Sequence, residues 1–419
     1  MTTAPRWPIT PHDRDTLRRL AARQAEIAQE PVMAERRRLW IAHAGLRGER
    51  PMILAENQGV TDEILPRSAL TCEQPWAQEV EFALRMRIWH HEHVDDDMVV
   101  EPWLDVKWQV DLGDYGVVVE KRHGDNQQRL GSYVWDPPIK DLDADLEKLH
   151  PRRPTVDREG TLAWVDHLER LLGDLLPVRI RGSHYWTMGL TWPCIDLIGL
   201  QGLMMAMVDQ PEGLHRLMAF LSADHLAVVD WLEAEGLYTL NNENDYVGSG
   251  TVGYTDELPS GQWQPGDPVR PRDLWVLSES QETVGVSPAM FEEFVFRYQL
   301  PIIQRFGLCY YGCCEPLHAR WPILQRIPNL RRVSISPWCD QALMAEALGE
   351  RYLFCRKPSP ALISGAVWDE AAIRQDLAHT MAVTGGRHLE IAMKDVHTLA
   401  DQPERLGRWV RIAREETAR

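Results

Sequence analysis

Residues 308–315 read Leu308-Cys309-Tyr310-Tyr311-Gly312-Cys313-Cys314-Glu315, a short apolar run that stops at a glycine, two thiols and a carboxylate. Short apolar runs of this kind suit strands buried on both faces. Seven other runs of strand length end in polar residues in the same way: Met98–Glu101, Val178–His184, Leu237–Glu243, Leu274–Glu279, Arg332–Ser336, Tyr352–Lys357 and Leu389–Asp395. Most spacers between them carry helical patterns, over 160–177, 197–235, 288–306, 316–327, 340–349, 368–384 and 402–417. Strands alternating with helices call for a parallel sheet. Eight such units are the arithmetic of a (β/α)8 TIM barrel, so the expected fold class is α/β.

Two segments break the alternation. Residues 104–136 alternate with period two and read as a β-hairpin inserted after the first strand, and residues 246–272, rich in Gly and Pro, read as a long irregular loop after the third. Loops of that length are usually functional, and this one falls on the face where barrels build their sites. Ahead of the strands, residues 15–45 form a charged helical pattern broken near Pro31, and residues 76–95 form another helix with His90, His91 and His93 at its end. Those histidines suit a helix C-terminus and read as a solvated end. The expected organisation is an N-terminal helical cap over 1–97 and the barrel over 98–419.

The chain has 419 residues, with 45 Lys+Arg against 62 Asp+Glu and a formal net charge of −17. No basic stripe interrupts this balance, which argues against nucleic acid and anionic lipid as partners. The apolar stretch from Ile195 to Val208 carries Asp196 and Gln201. It is shorter than the ~20 residues of a membrane helix. The opening MTTAPRWPITPHDRD has no apolar signal core, and the expected location is cytoplasmic. An odd count of seven cysteines is not a disulfide framework, yet five of them fall between Cys309 and Cys355. Gly248, Gly250 and Gly253 match GxGxxG, but YTDELPSG follows where a helix should start, so dinucleotide binding is not expected. Asp395 and His397 begin a DxHxxG-like motif that continues to Ala400 instead of Gly, with only 19 residues after it.

Barrel strands converge at their C-terminal ends, which here would gather Glu101, His184, Asn242, Glu243, Ser278, Glu279, Cys313, Cys314, Glu315, Arg356, Lys357, Lys394, Asp395 and His397. Any one of these could be merely solvated, but so many together describe a lined pocket. Cys313 and Cys314 are candidate ligands of a soft metal such as Zn2+, which thiolates hold at ~2.3 Å, with imidazole or carboxylate completing the shell. Adjacent residues of a strand face opposite ways, so both thiols reach one ion only if the strand ends before them. Burial of both as small hydrophobes, or a reactive thiol, are the alternatives.

The segments YYGCCEPLH (310–318), IPNLRRVSISPWCD (327–340) and FCRKPSPA (354–361) resemble the uroporphyrinogen decarboxylase superfamily, in its uncharacterised and methyltransferase-like branch. DDDMVVEPW (95–103), GYTDELP (253–259), the stretch 278–308 and MKDVHT (393–398) extend the resemblance over roughly residues 35–415. It implies a (β/α)8 barrel. True uroporphyrinogen decarboxylases carry an RQAGRYLPEY-type motif that grips an acidic substrate. Here Arg23-Gln24-Ala25 runs into EIAQE instead, and Glu101 would repel a polycarboxylate. The cobalamin-dependent methyltransferases of the superfamily hold zinc through His-x-Cys and a later Cys. The resemblance sets Tyr311 on the His, Cys313 on the first Cys and the Lys394–His397 strand end near the last. Two of the three ligands therefore depart from the pattern, and zinc would need Cys313 or Cys314 with Glu243, Glu315 or His397.

The leading expectation is an enzyme that demethylates a small O- or N-methylated compound and passes the methyl group to a cobalamin carried by a separate corrinoid protein. Glu243, Glu315, Asp395 and His397 are its candidate catalytic residues. Glu101, His184, Trp186, Tyr254, Trp275, Arg356 and Lys394 are its candidate substrate contacts, aromatic rings and carboxylates both suiting a methylated cation. The alternatives are a decarboxylase or lyase of a small acid, with Arg356, Lys357 and Lys394 stabilising negative charge, and a non-catalytic ligand-binding barrel.

Overall fold

A computed structural model describes residues 6–123 and 133–418. Eight strands pair in parallel: β1 (Met52–Ala55), β2 (Leu104–Val106), β3 (Val178–Ile180), β4 (Trp275–Ser278), β5 (Leu308–Tyr311), β6 (Leu330–Ile335), β7 (Leu353–Arg356) and β8 (Leu389–Met393). The chain is therefore a mixed α/β protein. It divides into two compact units, one of residues 1–109, 157–182 and 357–419, the other of 110–156 and 183–356.

In the second unit β4, β5, β6 and β7 lie side by side in sequence order, with Ser278 opposite Tyr311 and Ile335 opposite Arg356. Their residues are almost all buried, which is why they read as continuous apolar runs without alternation. In the first unit β1 pairs with β8, Met52 opposite Glu390, and β2 pairs with β3, Leu104 opposite Val178.

Six of the eight expected strands form and two do not. Met98–Glu101 makes no ladder; Met52–Ala55 takes that count instead, inside the segment read as a helical cap. Four buried residues, Met-Ile-Leu-Ala, have no alternation to mark them as a strand. Leu237–Glu243 also forms no strand. There the Asn241 side chain substitutes for a backbone partner of β4: its Oδ1 accepts the Trp275 N–H at 2.9 Å and its Nδ2 donates to the Trp275 carbonyl at 3.0 Å.

The hairpin expected over 104–136 is smaller than its pattern. Leu104–Val106 is the parallel strand β2, and the antiparallel pair is Lys121–His123 with Tyr133–Trp135; residues 124–132 lie outside the described ones. The loop 246–272 is not wholly irregular, since Tyr246–Gly248 pairs with Thr251–Val252.

The acidic run 95–97 explains how β1 is held. The Asp97 N–H donates to the Ile53 carbonyl and the Asp97 carboxylate accepts the Ile53 N–H, while Asp96 accepts the Ala55 N–H, so the run covers a strand edge that would otherwise be bare. His90 is not the solvated helix end expected of it. It is buried, its Nε2 3.0 Å from Asp96 Oδ2 and its Nδ1 3.2 Å from Asn57 Nδ2.

Burial alone would raise the Asp96 carboxyl, but the charge and hydrogen bond of His90 and the N–H groups of Ala55 and Met98 outweigh it and hold the group below the usual carboxylate range. Such a group contributes stability above its unfolded pKa of ~3.9 and loses it as pH falls through the folded value. Asp96→Asn should therefore lower the unfolding free energy at pH 7 by roughly 3 kcal/mol. The gap to wild type should close on acidification, as read from urea midpoints across pH.

Candidate functional site

The ends of β4 and β5 build a polar cluster in the second unit. β4 runs out into Ser278-Glu279-Ser280 and a single turn at Gln281–Thr283. β5 stops at Tyr311, and Gly312 bends the chain at φ +98°; a Cβ there would sit 2.7 Å from Leu317 Cδ1 and 2.9 Å from Ser334 Cβ, so only glycine fits the bend. Because the strand has ended, the next two thiols meet on one turn, Cys313 Sγ 3.5 Å from Cys314 Sγ. Cys313 is buried, with the Ser249 hydroxyl 3.3 Å from its sulfur, and Cys314 is exposed.

Glu315 is wholly buried and ties the two strand ends together: Oε1 accepts the Ser280 N–H and Oε2 accepts the Cys313 N–H, each at 2.9 Å. Its carboxylate thus has a structural role beside any chemical one. The Tyr311 hydroxyl lies 3.1 Å from Ser280 Oγ and donates to Gln299 Oε1 at 3.1 Å, and Gln299 in turn donates to the Glu279 carbonyl. Arg320 donates to Ser280 Oγ at 3.0 Å and to the Thr283 carbonyl. These bonds hold the 279–283 turn in a single geometry.

Two further carboxylates share this cluster. Glu279 is wholly buried; its Oε2 accepts the Gln281 N–H at 3.0 Å, while Oε1 has no hydrogen-bond partner among the described residues. Burial, and then the charges of Glu282 and Glu315, push its carboxyl well above the ordinary range. Burial likewise raises Glu282, although the Thr191 hydroxyl donates to it at 2.6 Å. Glu282 and Cys314 line a cavity of about 620 Å3 whose other walls are largely apolar, among them Ile195, Leu200, Met204, Pro316 and Trp338. Among the described residues no Lys, Arg or His lines it.

Of the residues singled out in the sequence, the structure brings together Cys313, Cys314 and Glu315. Glu243 lies half-buried in the bend after Asn242, and His184 is half-buried with Nε2 3.3 Å from the Leu237 carbonyl. Trp186 is exposed, 6.5 Å from Trp192 ring to ring. Tyr254 is buried; Trp275 is buried at the start of β4, not its end, with Nε1 donating to the Gly253 carbonyl and Arg332 over its ring. Arg356 is buried at the end of β7. Glu101, Lys394, Asp395 and His397 belong to the first unit. Glu101 is paired with Arg37 at 2.8 Å, Lys394 is buried 3.4 Å from Asp395, and Asp395 and His397 are exposed. Glu279 stood among the strand-end residues without being chosen, and Glu282 sits in a short turn that no periodic pattern marks.

The thiol pair was expected to bind zinc. A tetrahedral site needs at least a third protein ligand, and both Glu315 oxygens are already committed to backbone N–H groups. Among the described residues no three His, Cys, Asp or Glu side chains are grouped to hold an ion. Among the described residues, no third ligand is therefore grouped with Cys313 and Cys314 to hold a resident zinc.

A carboxyl raised by burial lowers stability as pH rises from its unfolded value toward its folded one. Glu279→Gln should therefore raise the thermal midpoint at pH 7 by a few degrees, about 1 kcal/mol corresponding to ~2–4 °C in a chain of this size class. The gain should vanish near pH 4, where Glu279 is protonated in both states. Gly189→Ala should do the reverse, since its Cβ would stand 2.6 Å from the Glu279 carbonyl and Oε1. Calorimetry across pH measures both.

Neither a protein-family model nor a curated protein sequence matches the chain. Among solved structures, a methyltransferase from Methanosarcina mazei is similar in fold, with a TM-score of 0.50 and 14% sequence identity over 91% of this chain and 98% of that one.

Proposed function

We propose that the chain is a methyltransferase-like enzyme that demethylates a small methoxy compound or methylamine. The observation that carries this reading is the 620 Å3 apolar cavity with Glu282 and Cys314 in its wall and two further buried carboxyl groups beside them. Its size falls within the ~300–1,000 Å3 of small-molecule sites. The resemblance of YYGCCEPLH and its companion segments to the methyltransferase-like branch of the uroporphyrinogen decarboxylase superfamily, and its (β/α)8 barrel, supports the same reading.

Demethylating an ether breaks the bond between carbon and oxygen with both electrons going to oxygen, so the leaving alkoxide or phenoxide needs a proton. Burial raises the Glu282 carboxyl and so favours the protonated form that can deliver a proton; Glu282 is the donor because it reaches the cavity. Glu315 is a positioning residue whose charge adds to burial in raising the Glu282 carboxyl. The methyl group passes to a nucleophile, which a reduced corrinoid on a separate protein would supply. Glu282 then regains its proton from solvent. A decarboxylase acting in this cavity would need a cation to hold its substrate carboxylate, and among the described residues none lines the walls.

The test is methyl transfer from methoxyarene and methylammonium donors to an added corrinoid protein, with CO2 release from small acids measured alongside. Wild-type turnover of a methoxyarene should fall as pH rises through the raised carboxyl pKa. Glu282→Gln should cost about 100-fold or more in kcat, the usual range for a general acid, and flatten that limb. Full activity in Glu282→Gln would remove it as the donor, and CO2 release without methyl transfer would replace the reading.

A further inference from the structure

The first unit holds a cavity of its own, of about 600 Å3, walled by Trp7, Trp76 and Trp164. The rings form a cluster: Trp7 and Trp164 are 5.0 Å apart by centroid, and Trp76 meets Trp164 edge-on at 5.6 Å. Large flat apolar surface at a cavity wall suits a flat apolar guest.

The charges at this cavity are unbalanced. Arg87, half-buried on the helix Pro75–His93, makes one hydrogen bond among the described residues, a 3.4 Å donation to Gln24 Oε1, and pairs with no carboxylate. Asp105 acts on Arg87 through its charge, but Arg179 already holds it with two bonds of 3.1 and 2.9 Å. Glu79 gives both its oxygens to Arg67. Lys107, at the same cavity, also pairs with no carboxylate among the described residues. A chain of net charge −17 thus gathers cations here whose neighbouring acids are engaged elsewhere. A desolvated guanidinium without a hydrogen-bonded carboxylate costs free energy that an anion would recover.

We propose that this cavity binds a small aromatic carboxylate, its ring against Trp76 and Trp164 and its carboxylate on the Arg87 guanidinium. The planar fork of Arg matches a carboxylate through two parallel bonds, and the Trp faces set the preference for a flat body. The inference is independent of methyl transfer, because it uses none of the residues of the Glu282 cavity and calls for the opposite charge.

Titration calorimetry on the full chain tests it with 1-naphthoate, its neutral counterpart 1-naphthalenemethanol, and acetate. Naphthoate should bind, the neutral compound at least tenfold more weakly, and acetate not detectably below millimolar concentration. Arg87→Met should weaken naphthoate at least tenfold, and Glu282→Gln should leave it unchanged. Arg87→Lys, which keeps the charge and loses the fork, should fall between; it also guards against misfolding of the Met variant, with circular dichroism checking both. Absence of naphthoate binding, equal affinity for the neutral compound, an undiminished affinity in both Arg87 variants, or loss of binding in Glu282→Gln would each overturn the proposal.

Discussion

One carboxylate, Glu315, holds the candidate site in shape. By accepting the N–H groups of Ser280 and Cys313 it fastens the turn that leaves β4 to the turn that leaves β5, where neither backbone has a ladder partner left. A buried N–H without an acceptor is expensive, and one side chain answers two of them. Tyr311, Gln299 and Arg320 then complete the hydrogen bonding of the 279–283 turn. The positions of Glu279 and Glu282 follow from that turn.

Holding one carboxylate in place has consequences for the other two. Like charges in a buried place resist ionisation, and the group with the fewest donors yields first. Glu315 has two backbone donors, Glu282 has the Thr191 hydroxyl and the Gln281 side chain, and Glu279 has one N–H with its second oxygen unpartnered among the described residues. Three carboxyl groups of one residue type are thereby given different environments, which is the condition under which such groups divide acid and structural tasks. The cost is borne by stability, as is common where a site is built for chemistry.

The two cavities differ in the charge at their walls. In the second unit, acids crowd beside a cavity that no cation lines among the described residues. In the first, Glu101 is answered by Arg37, Asp97 by Arg50 and Asp96 by His90, while among the described residues Arg87 pairs with no carboxylate. A net charge summed over the chain conceals this division.

What the sequence determined by itself was the class of fold and one end of one strand. Runs such as Leu308–Tyr311 and Leu389–Met393 declare themselves because a strand buried on both faces must be apolar throughout, and the glycine and polar residues after Tyr311 mark where it stops. β1 stayed hidden, being only four residues long, and Leu237–Glu243 misled because a strand-like composition can be served by one asparagine side chain instead of a ladder. For the site, Cys313, Cys314 and Glu315 were legible as neighbours in the chain, but their partners were not. Which oxygen accepts which N–H, which acid keeps an orphan oxygen, and which arginine is left without a hydrogen-bonded carboxylate depend on distances between residues far apart in sequence. Only the tertiary structure decides those, since electrostatic and hydrogen-bond energies fall off within a few ångströms and a one-dimensional pattern carries no such distances.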